Sequence, residues 1–172
     1  MILHRIIVFA LVFLSNTFFA QSVFDKYENQ EDISAIVVNK KMFSMLSNVN
    51  SNDKETQQYI NLIKKLDDLK VFITTNDKKS SALKLEADNY SKTAGLNELM
   101  RLNENGKIVK IYTKPGASEN EVKELLLFMD GVGKEQSVLM SITGIIDLNE
   151  ISILTDKMKL PGGEELKKLS KK

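Results

Sequence analysis

The chain contains no cysteine, and that absence governs what it can fold into. No disulfide is available to it, although exported proteins often use them. Its one histidine, His4, lies near the amino terminus, so the rest of the chain lacks imidazole as well as thiol. Zinc and copper centres usually draw on imidazole or thiolate. Serine and cysteine triads usually need a histidine base. A stable domain must therefore rest on a packed apolar core, and about 150 residues is enough chain to build one.

The first twenty residues read as a cleavable secretory signal peptide. Arg5 supplies a fixed positive charge beside His4, Ile6 to Leu14 is an apolar run, and Ser15, Asn16 and Thr17 lead to Phe18, Phe19 and Ala20. A basic start, a short apolar core and a small residue before the cut are the three parts of such a signal. A spanning helix needs roughly 20 consecutive apolar residues, and this run is too short and is broken at 15–17. Cleavage is expected between Ala20 and Gln21. Phe18 stands where a small residue is usual, which allows the cut to shift by a few residues. The expected product is periplasmic or secreted, with no integral membrane segment after cleavage and, lacking cysteine, no lipid anchor.

Cleavage also changes the charge. The full chain carries 24 basic and 23 acidic side chains, and losing Arg5 leaves 23 of each. A neutral chain has no global field to draw it to nucleic acid or anionic lipid. The chemistry left to it uses carboxylates, lysines, hydroxyls and amides: a Ca²⁺ or Mg²⁺ site, a carboxylate pair, or a Ser–Lys dyad.

Periodicity outlines the elements. Gln21 to Asp32 is a polar lead or short helix containing Phe24 and Tyr27. Ile33 to Val38 is a β-branched run that predicts a strand. Met42, Met45, Leu46 and Val49 fall at helical spacing, as do Tyr59, Leu62, Ile63 and Leu66, so a helix is expected over about 54–67, capped by Asp53. Leu69 to Thr75 predicts a strand and 76–79 a turn. Ser80 or Ser81 is expected to cap a helix whose inner face is Leu83, Ala87, Tyr90 and Ala94. Glu98–Asn103 and Lys107–Thr113 flank Asn105-Gly106, a strong hairpin signal, and Pro115-Gly116 marks another turn. The stretch 118–129 reads as helix or strand. Ser118 and Glu121 resemble a capping box, yet Leu125 to Met129 and Val138 to Ile142 are continuous apolar runs around a Gly-containing loop. The preferred reading is a helical turn at 118–121 and then a hairpin. A helix over Leu148–Met158, started by Asp147 or Asn149, ends at Pro161-Gly162-Gly163. The predicted fold is a single α+β domain over 21–160, a largely antiparallel sheet with helices packed on one face, followed by a charged, flexible tail at 161–172.

Four groups of residues resemble a known family: Phe24-Asp25-Lys26-Tyr27, then Val37-Val38-Asn39-Lys40-Lys41-Met42-Phe43, then Leu69-Lys70-Val71-Phe72, and last Ile142-Thr143-Gly144 with Ile146-Asp147-Leu148. Their order and spacing, from Phe24 to Met158, resemble the DUF4252 family of small exported Bacteroidetes proteins, many of them flavobacterial. The resemblance implies a cell-envelope or secreted location and a single domain of unknown function. It supplies no catalytic residues. Family genes lying near extracytoplasmic sigma factor genes would imply an envelope-response role.

Candidate sites are sparse. Asn50, Asn52, Asp53 and Glu55 gather oxygen donors but miss the spacing of an EF-hand loop, so a turn and helix cap is the expectation. Glu119, Glu121 and Glu124 offer carboxylates for acid–base work, which would require burial and a shifted pKa. Met42, Met45, Met100, Met129, Met140 and Met158 are expected to fill the core. Lys167, Lys168, Lys171 and Lys172 are offset by Glu164 and Glu165. Asn89-Tyr90-Ser91 matches a glycosylation sequon on a helix. Ser137 and Ser141 alternate on a strand and would need a lysine base to act as nucleophiles. No catalytic, cofactor-binding or metal-ligating residue is therefore assigned, and no cofactor is expected. The expected function is a non-catalytic binding module that meets a protein partner in the envelope through a sheet edge or face. The alternatives are an envelope-stress regulator or sensor linked to an extracytoplasmic sigma factor, or a metal-independent hydrolase or lyase using carboxylate, lysine or serine.

Overall fold

The computed structural model describes residues 22–104, 106–131, 133 and 135–169. The expected signal peptide, with its Ala20–Gln21 junction, lies outside the described residues, as do Asn105, Lys171 and Lys172. The strands are β1 (Ser34–Asn39), β2 (Leu66–Thr74), β3 (Asn97–Glu104), β4 (Lys107–Pro115), β5 (Glu121–Asp130) and β6 (Ser137–Asp147). The helices are α1 (Lys40–Leu46), α2 (Lys54–Ile63), α3 (Asp77–Thr93), α4 (Ile151–Met158) and α5 (Gly163–Lys167). A 3₁₀ turn, Asp25–Tyr27, precedes β1.

The six strands form one sheet in the order β1-β2-β6-β5-β4-β3, with every neighbouring pair antiparallel. The single α+β domain is the one the sequence predicts. The expected hairpins are present: β3 and β4 meet through Gly106 at φ +83°, and Leu125–Met129 pairs with the run beginning at Val138. A turn at 118–121 precedes β5, closed by the Glu121 amide donating to the Ser118 carbonyl.

One part of the prediction is corrected: the helices pack on both faces, not one. On one face Leu69, Val71, Leu125, Leu127, Met140 and Ile142 join Phe43 of α1, Leu62 and Ile63 of α2, Leu154 of α4 and Leu166 of α5. On the other, Phe72, Leu126, Phe128 and Leu139 meet Leu83 and Ala87 of α3 together with Phe24 and Tyr27. A strand covered on both sides has no solvated face and so reads as a continuous apolar run. Leu125 to Met129 is such a run.

Element boundaries differ for local reasons. Leu66 begins β2 rather than ending α2, whose C-cap is Lys64. The predicted turn at 76–79 is helical, because the Asn76 side chain accepts from the amides of Lys78 and Lys79 and so starts α3 before Ser80. Asp147 accepts from the Asn149 amide, and α4 begins only at Ile151. The expected flexible tail is ordered in part: α5 buries Leu166 against the core, and Glu165 pairs with Lys107 at 3.1 Å.

Candidate interaction surface

The two edges of the sheet are built differently. An edge strand offers unpaired backbone groups to any passing strand, and folds usually blunt it with charges, proline or a bulge. The β3 edge carries Glu98 and Arg101, and its register slips between Glu98 and Met100. Arg101 there pairs with Glu98. The β1 edge has none of these devices. Its sequence, Ser-Ala-Ile-Val-Val-Asn, has no charge and no proline, and its register with β2 is unbroken from Ser34↔Ile73 to Asn39↔Asp68.

The surface around β1 is apolar. Ile36 is 40% exposed and Val37 43%. Asn39 ends the strand and caps α1 by accepting from the Met42 amide at 3.0 Å. The cap sets the helix so that Phe43 is the side chain driven into the core beside Val38. The helical stripe expected to face inward therefore faces out: Met42 is 46% exposed, Met45 61%, and Leu46 and Val49 are exposed with them. The core role expected of Met42 and Met45 is thus corrected, whereas Met129 and Met140 are buried and Met100 and Met158 pack against the core. Ile36 lies on the same face of β1 as Val38, because side chains alternate along a strand. Ile36 and helix α1 are thus on the same side of the sheet, and Val37 is on the other. Fully burying one aliphatic side chain is worth about 1.5–3 kcal/mol, so six half-exposed ones in one stretch of chain are a substantial source of association energy.

The polar clusters inside the fold bind its own elements together. Lys70, 7% exposed, donates to Glu28 at 2.9 Å and to Asp25, with Asp68 at 4.0 Å. Burial works against its ammonium charge, but the hydrogen bonds to Asp25 and Glu28 outweigh it and hold its pKa above the usual lysine value. Phe24 and Tyr27 pack on Phe72 with ring centroids 6.4 and 5.9 Å away. Two of the family-like motifs, at 24–27 and 69–72, are therefore one contact seen from both sides. A third contains Gly144, at φ +130°, where a Cβ would lie 2.5 Å from the Lys65 carbonyl oxygen.

The remaining candidates resolve in the same way. Asp53 caps α2, accepting from the Thr56 amide and hydroxyl, and Glu55 pairs with Lys157 at 3.3 Å. Glu121 accepts from the Ala117 amide, and Glu119 is exposed in the turn before it. Glu124 is apart from both, 7% exposed, with Oε1 lacking a hydrogen-bond partner. Burial first, and then a hydrogen bond to Glu124, push the Tyr90 phenol well above its usual pKa. Ser137 accepts from Ser80 at 2.8 Å and from the Gly131 amide, while Lys84 pairs with Asp130 at 3.2 Å. Ser141 is buried opposite Lys70 on the neighbouring strand, whose ammonium is held charged. Lys167 bridges Asp156 and Glu164. Asn89 of the sequon is in α3. The Asp53 cap is the one expected from the sequence, whereas the pairings between distant elements are not evident from spacing. Lys70 in particular was missed, although a charged residue inside an apolar strand is a readable signal.

Acids and bases also line a cleft of about 340 Å³ between α3 and the β3–β4 hairpin. In it Asp88 accepts from Lys110 at 2.7 Å and from Tyr112 at 3.1 Å, and Glu98 binds Arg101. Burial and then Asp88 push the Tyr112 phenol up to about 12. Among the described residues no three acidic, histidine or cysteine side chains are grouped to hold a metal ion, and no helix is long and apolar enough to cross a membrane.

The family model described as a domain of unknown function, DUF4252, matches residues 27–154. Comparison with curated proteins and with solved structures gives no match.

Proposed function

The chain belongs to the DUF4252 family, and from that premise we propose that it is a non-catalytic binding module of the cell envelope, docking a protein partner along the free edge of β1. The observation that carries this reading is the contrast between the two sheet edges. An uncharged strand of unbroken register, with half-exposed Ile36 and Val37, continues into the exposed Met42–Met45–Leu46 stripe, whereas the opposite edge is charged and its register slips. Strand addition uses backbone hydrogen bonds for affinity and side-chain contacts for specificity. Methionine adds an adaptable surface that can repack around a partner. Placement in the envelope is supported by the signal-like residues 1–20. Amino-terminal sequencing of the exported chain is expected to begin near Gln21.

The test compares partners retained from envelope extracts by the wild-type chain and by three variants. Ile36→Lys and Met45→Lys are expected to lose the partner. Leu85→Lys, on the exposed side of α3, is expected to keep it. Retention of the same proteins by all four would remove the basis for the reading.

A further inference from the structure

We propose that the partner docked on β1 is a second copy of this chain, paired strand to strand as a symmetric dimer. This inference rests on the reading of β1 as a docking edge and specifies its occupant.

The argument is one of register and charge. Homodimers close most often through a two-fold axis, which makes the interface self-complementary. If two β1 strands pair antiparallel in one continuous sheet, with the axis perpendicular to it, opposite residues share a face. Pairing is then centred on a residue: Ala35, Ile36 or Val37. Centred on Ile36, Ala35 faces Val37 and Ser34 faces Val38 of the other copy. Counted on in sequence beyond the strand ends at Ser34 and Asn39, Asp32 falls opposite Lys40 and Glu31 opposite Lys41. All four of these charged residues are exposed. Centred on Val37, Asp32 instead meets Met42 and Glu31 meets Phe43. Centred on Ala35, Lys40 and Lys41 meet the uncharged Gln30 and Asn29. Only the Ile36 register sets acid against base at both ends of the strand.

The strand turns at both ends, at Asp32 with φ +64° and into α1 at Lys40. The charged groups thus meet at the rim of the interface rather than within the ladder. Rim charges choose register and partner more than they add affinity. Asp32 also accepts from the Asn76 side-chain amide, and Lys40 also reaches Asp67 at 2.9 Å across two exposed side chains. An exposed pair of that kind is worth little and leaves Lys40 available to a second carboxylate. The result is a single sheet through both copies, six strands from each, with both free β1 edges removed and the two α1 stripes on the same side of it.

The test uses charge reversal in two variants that each repel themselves and attract each other. One carries Glu31→Lys and Asp32→Lys, so that both strand ends are basic. The other carries Lys40→Glu and Lys41→Glu, so that both are acidic. Circular dichroism and melting of each confirm folding. In sedimentation equilibrium at low salt the wild-type chain is expected to dimerise. Each variant alone should dimerise at least about tenfold more weakly, and an equal mixture should recover wild-type association. The absence of cysteine provides a second readout: Ile36→Cys should oxidise to a disulfide-linked dimer and Leu85→Cys should not. A chain that stays monomeric at every concentration, with envelope partners still lost in Ile36→Lys, overturns the homodimer and leaves the docking reading standing. A monomer whose partners are indifferent to Ile36→Lys overturns both. Dimerisation that neither charge variant alters overturns the Ile36 register.

Discussion

Lys70 carries one positive charge among three carboxylates on a face otherwise lined by aromatic and aliphatic side chains. Its raised pKa means that its contribution is complete below the ordinary lysine value, near 10.4, and is lost as the pH climbs through the folded value. Removing the cation leaves Asp25, Glu28 and Asp68 facing one another. Lys70→Met is therefore expected to lower stability by about 3 kcal/mol, within the range for a broken buried pair, and to loosen the 24–27 turn. Urea unfolding measures the first effect and amide exchange the second. Asp88 behaves oppositely in pH. Burial raises its pKa, but the hydrogen bonds from Lys110 and Tyr112 outweigh that and hold it below the usual carboxylate value. Its contribution is present above about pH 4 and is lost as the pH falls through the folded value. Asp88→Asn should accordingly flatten the acid limb of the stability curve, and an unchanged limb would place the acid sensitivity elsewhere. At Gly144, the positive φ and the Lys65 carbonyl together exclude a side chain. Gly144→Ala is expected to cost about 2–4 kcal/mol in urea unfolding. The sequence shows that glycine as part of a family-like motif, but its reason appears only when β2 and β6 are paired.

Among the elements, the hairpin signals were legible because Asn-Gly at 105–106 and the two apolar runs on either side of Gly131 specify local geometry. Helix starts were less so. Asn76 and Ser80 are both good caps, and the choice between them follows from Ser80 being buried against Asp130 and Ser137. Asn76→Ala is expected to cost about 1 kcal/mol of stability, read by chemical denaturation, with Ser81→Ala nearly neutral. Helix α1 was the least legible. Its Met42–Met45–Leu46–Val49 spacing is what a core-facing helix shows, and periodicity cannot tell an apolar face turned to the core from one turned to solvent. The Asn39 cap and the single anchor Phe43 decide the orientation. The candidate surface was therefore visible as a pattern and misread as packing.

At the scale of the molecule, a six-stranded antiparallel sheet is clothed by helices on both sides, which lets a chain without disulfides build two cores. That arrangement was implicit in Leu125–Met129, where alternation fails because neither face meets water. Covering both faces leaves only the sheet's edges open to strand addition. One edge is blunted and the other is not, and the function proposed for the chain rests on that difference. The most direct test is a photo-crosslinking residue placed in living cells at position 36 on the β1 edge and, separately, at position 99 on the β3 edge. Both side chains are partly exposed, Ile36 at 40% and Leu99 at 45%. The account predicts a discrete protein adduct from position 36 and none from position 99. Equal labelling at the two edges, or adducts from position 99 alone, would contradict it.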